Sequence, residues 1–186
     1  LNPHIQDVTR RVALAGYNAL ALDFLSPLGG TPVNEDEARA LFSKLDAAQS
    51  VANGRAALAY LKALPNSNGK VGTVGFCWGG AMANQLAVNA LDLNAAVSFY
   101  GMAPDAALVP QIKAHVQLHY AGMDERINAS REAYEAALKA AGVEFESYLY
   151  EGKQHAFHND VNVARYDQAS AELAWKRTLD LFKRTL

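Results

Sequence analysis

The sequence predicts one α/β domain over residues 1–186, a mostly parallel sheet with helices on both faces. Strand-like and helix-like segments alternate along the whole chain, the pattern that βαβ crossovers impose. A length of 186 residues suits one compact domain. With 51% hydrophobic and 19% charged residues, the chain has enough apolar surface for a core without covalent staples.

The elements run in this order. Asn2-Pro3 opens a helix, Ile5, Val8, Val12 and Leu14 give it one apolar face, and Gly16 stops it. Ala19-Leu20-Ala21-Leu22 reads as a short buried strand ending at Asp23, and 26–32 as a loop of turn formers. Residues 35–64 read as a long helical stretch broken around Asn53-Gly54, and 66–69 as a turn. Residues 70–76 (KVGTVGF) read as a strand and Gly79 to Asn89 as the next helix. Apolar runs at 93–100 and 115–120 have strand length, 130–141 is a helix stopped by Gly142, and 144–150 alternates as a further strand. Residues 163–186 form a closing amphipathic helix.

A formal net charge of −2 gives no electrostatic case for nucleic acid as a partner. No apolar run reaches the roughly 18 residues of a membrane-spanning helix. The lone cysteine excludes an internal disulfide and argues against a thiolate metal site. Cys77 is then either an inert buried side chain or a reactive thiol. No signal peptide is visible, but the chain starts at Leu1 with no methionine, so the compartment is not read from it; a soluble protein is expected, cytoplasmic in preference to periplasmic.

Gly75-Phe76-Cys77-Trp78-Gly79-Gly80 lies between a predicted strand and a predicted helix. A nucleophile elbow needs that sharp turn, with small residues two before and two after to let the backbones approach. The turn exposes the central side chain at a helix N-terminus, where the dipole favours a thiolate. A thiol still needs a base. Of the five histidines, His155 sits in a glycine-containing loop after the last strand. His115 and His119 lie within a strand and read as core residues, His4 as a surface residue, and His158 as the reserve base. Asp124, just after the strand at 115–120, could orient the base or cap the next segment. The order Cys77, Asp124, His155 is the nucleophile–acid–histidine order of α/β-hydrolases, and all three fall just after predicted strands, on the rim where open α/β sheets bind ligands.

These residues resemble the dienelactone hydrolase family over nearly the whole chain. The resemblance lies in Ser67-Asn68-Gly69-Lys70-Val71-Gly72, the Gly-Phe-Cys-Trp-Gly-Gly elbow, Phe99-Tyr100-Gly101, Gly122-Met123-Asp124 and His155-Ala156-Phe157. It implies an α/β-hydrolase-type fold and hydrolysis of a small ester or lactone through an acyl-cysteine, with no metal or organic cofactor. It implies catalytic Cys77, Asp124 and His155, with the Trp78 N–H in the oxyanion hole. Trp78 and Tyr100 read either as substrate pocket wall or as ordinary rim packing. The family has further strands before the helix that opens this chain, and a loop there supplies a second oxyanion amide and an acidic residue. Both would precede Leu1, so the chain reads as lacking the first strands of the family fold. Asn159 stands where the family carries an arginine for the substrate carboxylate, and Arg39 reads as a surface salt-bridging residue. A different small ester, lactone or thioester is therefore the expected substrate. The alternative is a non-catalytic remnant that binds a partner or dimerises through an unpaired sheet edge.

Overall fold

The computed structural model of the chain describes residues 1–186, all but the side chain of Glu35. They fall into two compact units, Leu1–Gly69 and Lys70–Leu186.

The first unit is helical. Helix α1 (Pro3–Leu14) is capped by Asn2, whose side chain accepts the Ile5 N–H at 2.9 Å, and Gly16 closes it at φ 97°. Its buried residues are His4 and Val8, one helical turn apart, so His4 is not the surface residue expected. Leu14, expected on the apolar face, is 88% exposed because it lies off that i, i+4 row. Residues 19–22 are not the expected strand. A strand exists through a backbone ladder to a neighbour, and none of the described residues pairs with this segment. Asp23 instead organises a turn, accepting from Leu25 N–H at 3.1 Å and Thr31 Oγ1 at 2.9 Å. The helical stretch breaks at 43–46, between α2 (Glu35–Phe42) and α3 (Ala47–Lys62), and not at Asn53-Gly54. Asp46 caps α3 through the Gln49 N–H at 2.7 Å, while Gly54 lies buried inside the helix.

The second unit carries the sheet. Strands β1 (Gly72–Phe76), β2 (Ala95–Phe99), β3 (His115–Ala121) and β4 (Phe145–Tyr150) pair in that order, all parallel. Helix α4 (Trp78–Asn89) comes after β1, and α5 (Glu125–Asn128) and α6 (Arg131–Ala140) lie between β3 and β4. The closing helix α7 (Gln168–Thr185) begins five residues after the expected start because Asp167 caps it through the Ser170 N–H. Hydrogen bonds show which face each helix covers. On one face Ser98 of β2 binds α4, donating to Gly80 O at 3.0 Å, and Arg131 of α6 lies over the Tyr120 ring. On the other face Gln117 of β3 donates to Arg177 O of α7 at 3.2 Å. Helices therefore lie on both faces of a parallel sheet, an α/β-hydrolase-type arrangement. No helix among the described residues is long and apolar enough to cross a membrane.

One register level binds the sheet together. Phe76, Phe99, His119 and Tyr148 are register partners across all four strands. Their rings stack in sequence, with centroids 4.6, 4.3 and 5.6 Å apart. Arg177 closes the row 3.8 Å over Tyr148. His119 is fully buried, and desolvation, with the charges of Arg177 and His158, holds its pKa well below the ordinary value. Both ring nitrogens are satisfied, by Tyr150 OH and Gln117 Oε1 at 2.9 Å each, as expected of a core histidine. Gln117 Nε2 already donates to Glu146, so its Oε1 accepts the His119 Nε2–H, and Nδ1 takes the Tyr150 hydroxyl proton. His115 is less a core residue than expected, half-buried at the start of β3 beside Glu144 and Glu146. Truncating the fully buried Phe99 to alanine is expected to lower stability by about 3–5 kcal/mol. Leu14→Ala is expected to stay within about 0.5 kcal/mol, and urea unfolding of both variants checks the pair.

Candidate active site

A single residue makes the turn from β1 to α4. Cys77 takes φ 54° and ψ −115°, a strained conformation for a residue with a side chain. Its N–H donates to Phe99 O at 3.0 Å, which ties the turn to the end of β2. Beneath it the backbones of Gly75 and Gly79 pass so closely that a Cβ on Gly75 would lie 1.9 Å from Gly79 O. The motif assigns both glycines one role, and the structure separates them: a Cβ on Gly79 would meet nothing within 4 Å. Gly101 carries the second close approach, since a Cβ there would lie 2.2 Å from the Gly80 carbonyl carbon. Asn84 of α4 donates to Ser98 Oγ at 3.2 Å and to Met102 O at 2.9 Å, fastening the helix to β2 and the segment after it.

Asp124 comes just after β3 and is buried. Its Oδ1 accepts the Ile127 N–H at 3.4 Å and caps α5, while its Oδ2 accepts from His155 Nδ1. The cap of α5 and the bond to His155 thus use different oxygens of one carboxylate. The loops that carry the pair are stitched together, with Gly122 N–H donating to Tyr150 O and Met123 N–H to Lys153 O, each at 2.9 Å.

Cys77 is exposed and not a packed core side chain. Desolvation pushes its thiol pKa up, but the hydrogen bonding and charge of His155, the Trp78 backbone amide and the charge of Arg126 outweigh it, and the net shift is downward. His155 moves the other way. Desolvation opposes its protonation, and Cys77 and Asp124 together raise its pKa above the ordinary value. Each of the two side chains thus favours the charged form of the other. Cys77 also stands at the N-terminus of α4, where the helix dipole adds to the stabilisation of a thiolate.

Tyr100 sits behind this pair, only 1% exposed, its ring centroid 4.8 Å from that of His155. It holds φ 40°, and its hydroxyl makes no hydrogen bond of full geometry, although the His158 amide opposes the rise that burial and Cys77 impose on its pKa. His158, the reserve base, is buried among the rings of Phe76, Phe99 and Trp175. Arg39 pairs with Asp36 at 3.2 Å on the exposed face of α2, the surface role expected of it. Sequence reasoning misses Arg126, for which the available signal is a cation two residues beyond Asp124. A cavity of about 380 Å³ lies within the first unit, lined by apolar residues such as Leu20, Leu22, Phe24 and Ala56, and it holds none of the predicted site residues.

The dienelactone hydrolase family model matches residues 1–186. The chain belongs to the dienelactone hydrolase family. Among curated relatives, a "Putative carboxymethylenebutenolidase" of Methylorubrum extorquens is 32% identical, the match covering 98% of this chain and 68% of the relative. The carboxymethylenebutenolidase of Pseudomonas putida is 31% identical over 97% of this chain and 79% of its own length. Among solved structures, a "Putative Dienelactone Hydrolase" of Klebsiella pneumoniae subsp. pneumoniae superposes with a TM-score of 0.85 at 28% identity, covering 98% of this chain and 81% of that one.

The geometry makes two measurements decisive. A lowered thiol pKa populates thiolate at lower pH, so alkylation of Cys77 by iodoacetamide should reach half its maximal rate below the free-cysteine value of about 8.5. His155→Ala should move that midpoint upward, and an unchanged midpoint would count against the pairing. Gly75→Ala should cost more than about 3 kcal/mol or leave no folded protein, by thermal unfolding, because the obstacle to its Cβ is backbone.

Proposed function

We propose that the protein hydrolyses a small ester or lactone through a Cys77–His155–Asp124 triad and an acyl-cysteine intermediate. One observation carries the reading: a strained, exposed cysteine at a helix N-terminus is coupled to a histidine whose far nitrogen is bonded to a buried carboxylate. Membership of the dienelactone hydrolase family and the named activity of the Pseudomonas putida relative support it.

Asp124 accepts from Nδ1, which leaves Nε2 of His155 to exchange protons with sulfur and substrate. The Cys77 thiolate attacks the acyl carbon, and the carbonyl π electrons move onto oxygen. In this reading the Trp78 N–H at the start of α4 donates to that oxyanion. Collapse expels the alkoxide or enolate, which takes its proton from Nε2, and an acyl-cysteine thioester remains. His155 then takes a proton from water, the hydroxide attacks the thioester, and the acid leaves as the thiol is regenerated. For a lactone the leaving group stays attached to the acyl chain, so one ring-opened product forms. Asn159 in place of the family's carboxylate-holding arginine favours a substrate other than the family's namesake lactone.

Cys77→Ala is expected to abolish hydrolysis across a panel of activated esters, and wild-type rates in that variant would overturn the assignment. Asp124→Asn keeps the shape but leaves the histidine in the wrong tautomer, so kcat is expected to fall by about 10²–10⁴ in steady-state assays.

A further inference from the structure

From residue 151 to 167 the chain joins β4 to α7 through turns alone, yet it holds the His155 ring on Asp124. The bonds that shape this loop converge on one pair of side chains. Lys153 Nζ donates to Asp167 Oδ2 at 2.7 Å. Asp167 N–H donates to Phe157 O at 3.0 Å, and Asp167 Oδ1 accepts the Ser170 N–H at 2.9 Å. Lys153 O accepts the N–H of Met123, the residue before Asp124, at 2.9 Å. The covalent run from 153 to 157 and the return path through Asp167 thus close a ring. His155 and Ala156 lie inside it, and Ala156 is held at φ 72°, a conformation that persists only where its surroundings enforce it. Phe157, fully buried with its ring 4.7 Å from that of Tyr150, pins the far side.

We propose that Lys153 and Asp167 are positioning residues for the base, their ion pair closing the ring that keeps His155 on Asp124 and within reach of Cys77. The inference rests on the reading of Cys77 and His155 as nucleophile and base. A pair between side chains 34% and 30% exposed adds little to stability on its own account. Here the carboxylate is also anchored by its second oxygen at the start of α7, so the lysine is tied to a fixed point. The Lys153 hydrogen bond first, and those of Ser170 next, draw the Asp167 pKa from 3.8 down to about 2. A depressed carboxyl pKa contributes stability above its unfolded value that is lost only as pH falls through the folded one. The Asp167 carboxylate therefore stays charged across the acid side of an activity profile.

The test uses Lys153→Met, Lys153→Arg and Asp167→Asn in the full chain. Two quantities are read: the pH midpoint of Cys77 alkylation by iodoacetamide, and kcat/KM on an activated ester. Lys153→Met is expected to raise the alkylation midpoint and to lower kcat/KM by about 10- to 100-fold, mostly in kcat, as a misplaced catalytic group does. Lys153→Arg should recover most of both. Asp167→Asn keeps an oxygen for the Ser170 cap and should behave like Lys153→Met. Wild-type midpoints and rates within twofold in both Lys153→Met and Asp167→Asn would overturn the proposal. So would an arginine variant no better than the methionine one, or losses that track only the unfolded fraction measured by circular dichroism. A wild-type Cys77 that alkylates like a free thiol would instead overturn the reading beneath it, so the two failures are distinguishable.

Discussion

The site depends on a backbone contact that only missing atoms permit. Gly75 approaches the Gly79 backbone more closely than a side chain on Gly75 would allow, and this closeness lets β1 turn into α4 in the space of Cys77 alone. The strain at Cys77 is met by the bond from its N–H to Phe99 O and by the anchoring of α4 to β2 through Asn84 and Ser98. A longer turn would relieve the strain but would move the sulfur off the helix axis, away from the dipole and the Trp78 amide. Conformational cost and chemical use are here the same feature.

Electrostatics then assigns roles to groups that share one environment. Partial desolvation works against charge on both Cys77 and His155, yet each is pushed toward its charged form by the other. The buried Asp124 biases that balance by fixing which imidazole nitrogen faces outward. Arg126 adds a further charge of the sign that favours thiolate.

Much of this is legible in the sequence, for identifiable reasons. Cys77 announces itself because close backbone approach requires glycine at Gly75, and glycine is visible as a letter. Asp124 and His155 are legible because apolar runs mark the strand ends, and the loop residues just past those ends gather on one rim of the sheet. Features that depend on distant partners are not legible. Residues 19–22 have strand composition but no ladder neighbour among the described residues, and composition does not report on neighbours. Asn53-Gly54 is a strong local breaker, yet the chain breaks at Asp46, whose side chain offers a cap that Asn53 does not. His4 and Val8 show that which helix face is buried is a tertiary matter. Lys153 and Asp167 are ordinary loop charges until the fold brings them together.

The row of rings from Phe76 to Tyr148 has a consequence for how such a protein can diversify. Phe76 directly precedes Cys77 and Phe99 directly precedes Tyr100, while His119 and Tyr148 lie two residues short of the ends of β3 and β4. Stacking across the sheet therefore sets the height at which each strand releases its loop. Inserting or deleting one residue within a strand would break the row and send every later side chain to the opposite face. Length changes in the connections after Gly101 or Asn159 leave the row intact. Variation in substrate choice is thus channelled into loop length and loop sequence, and the strands are closed to it.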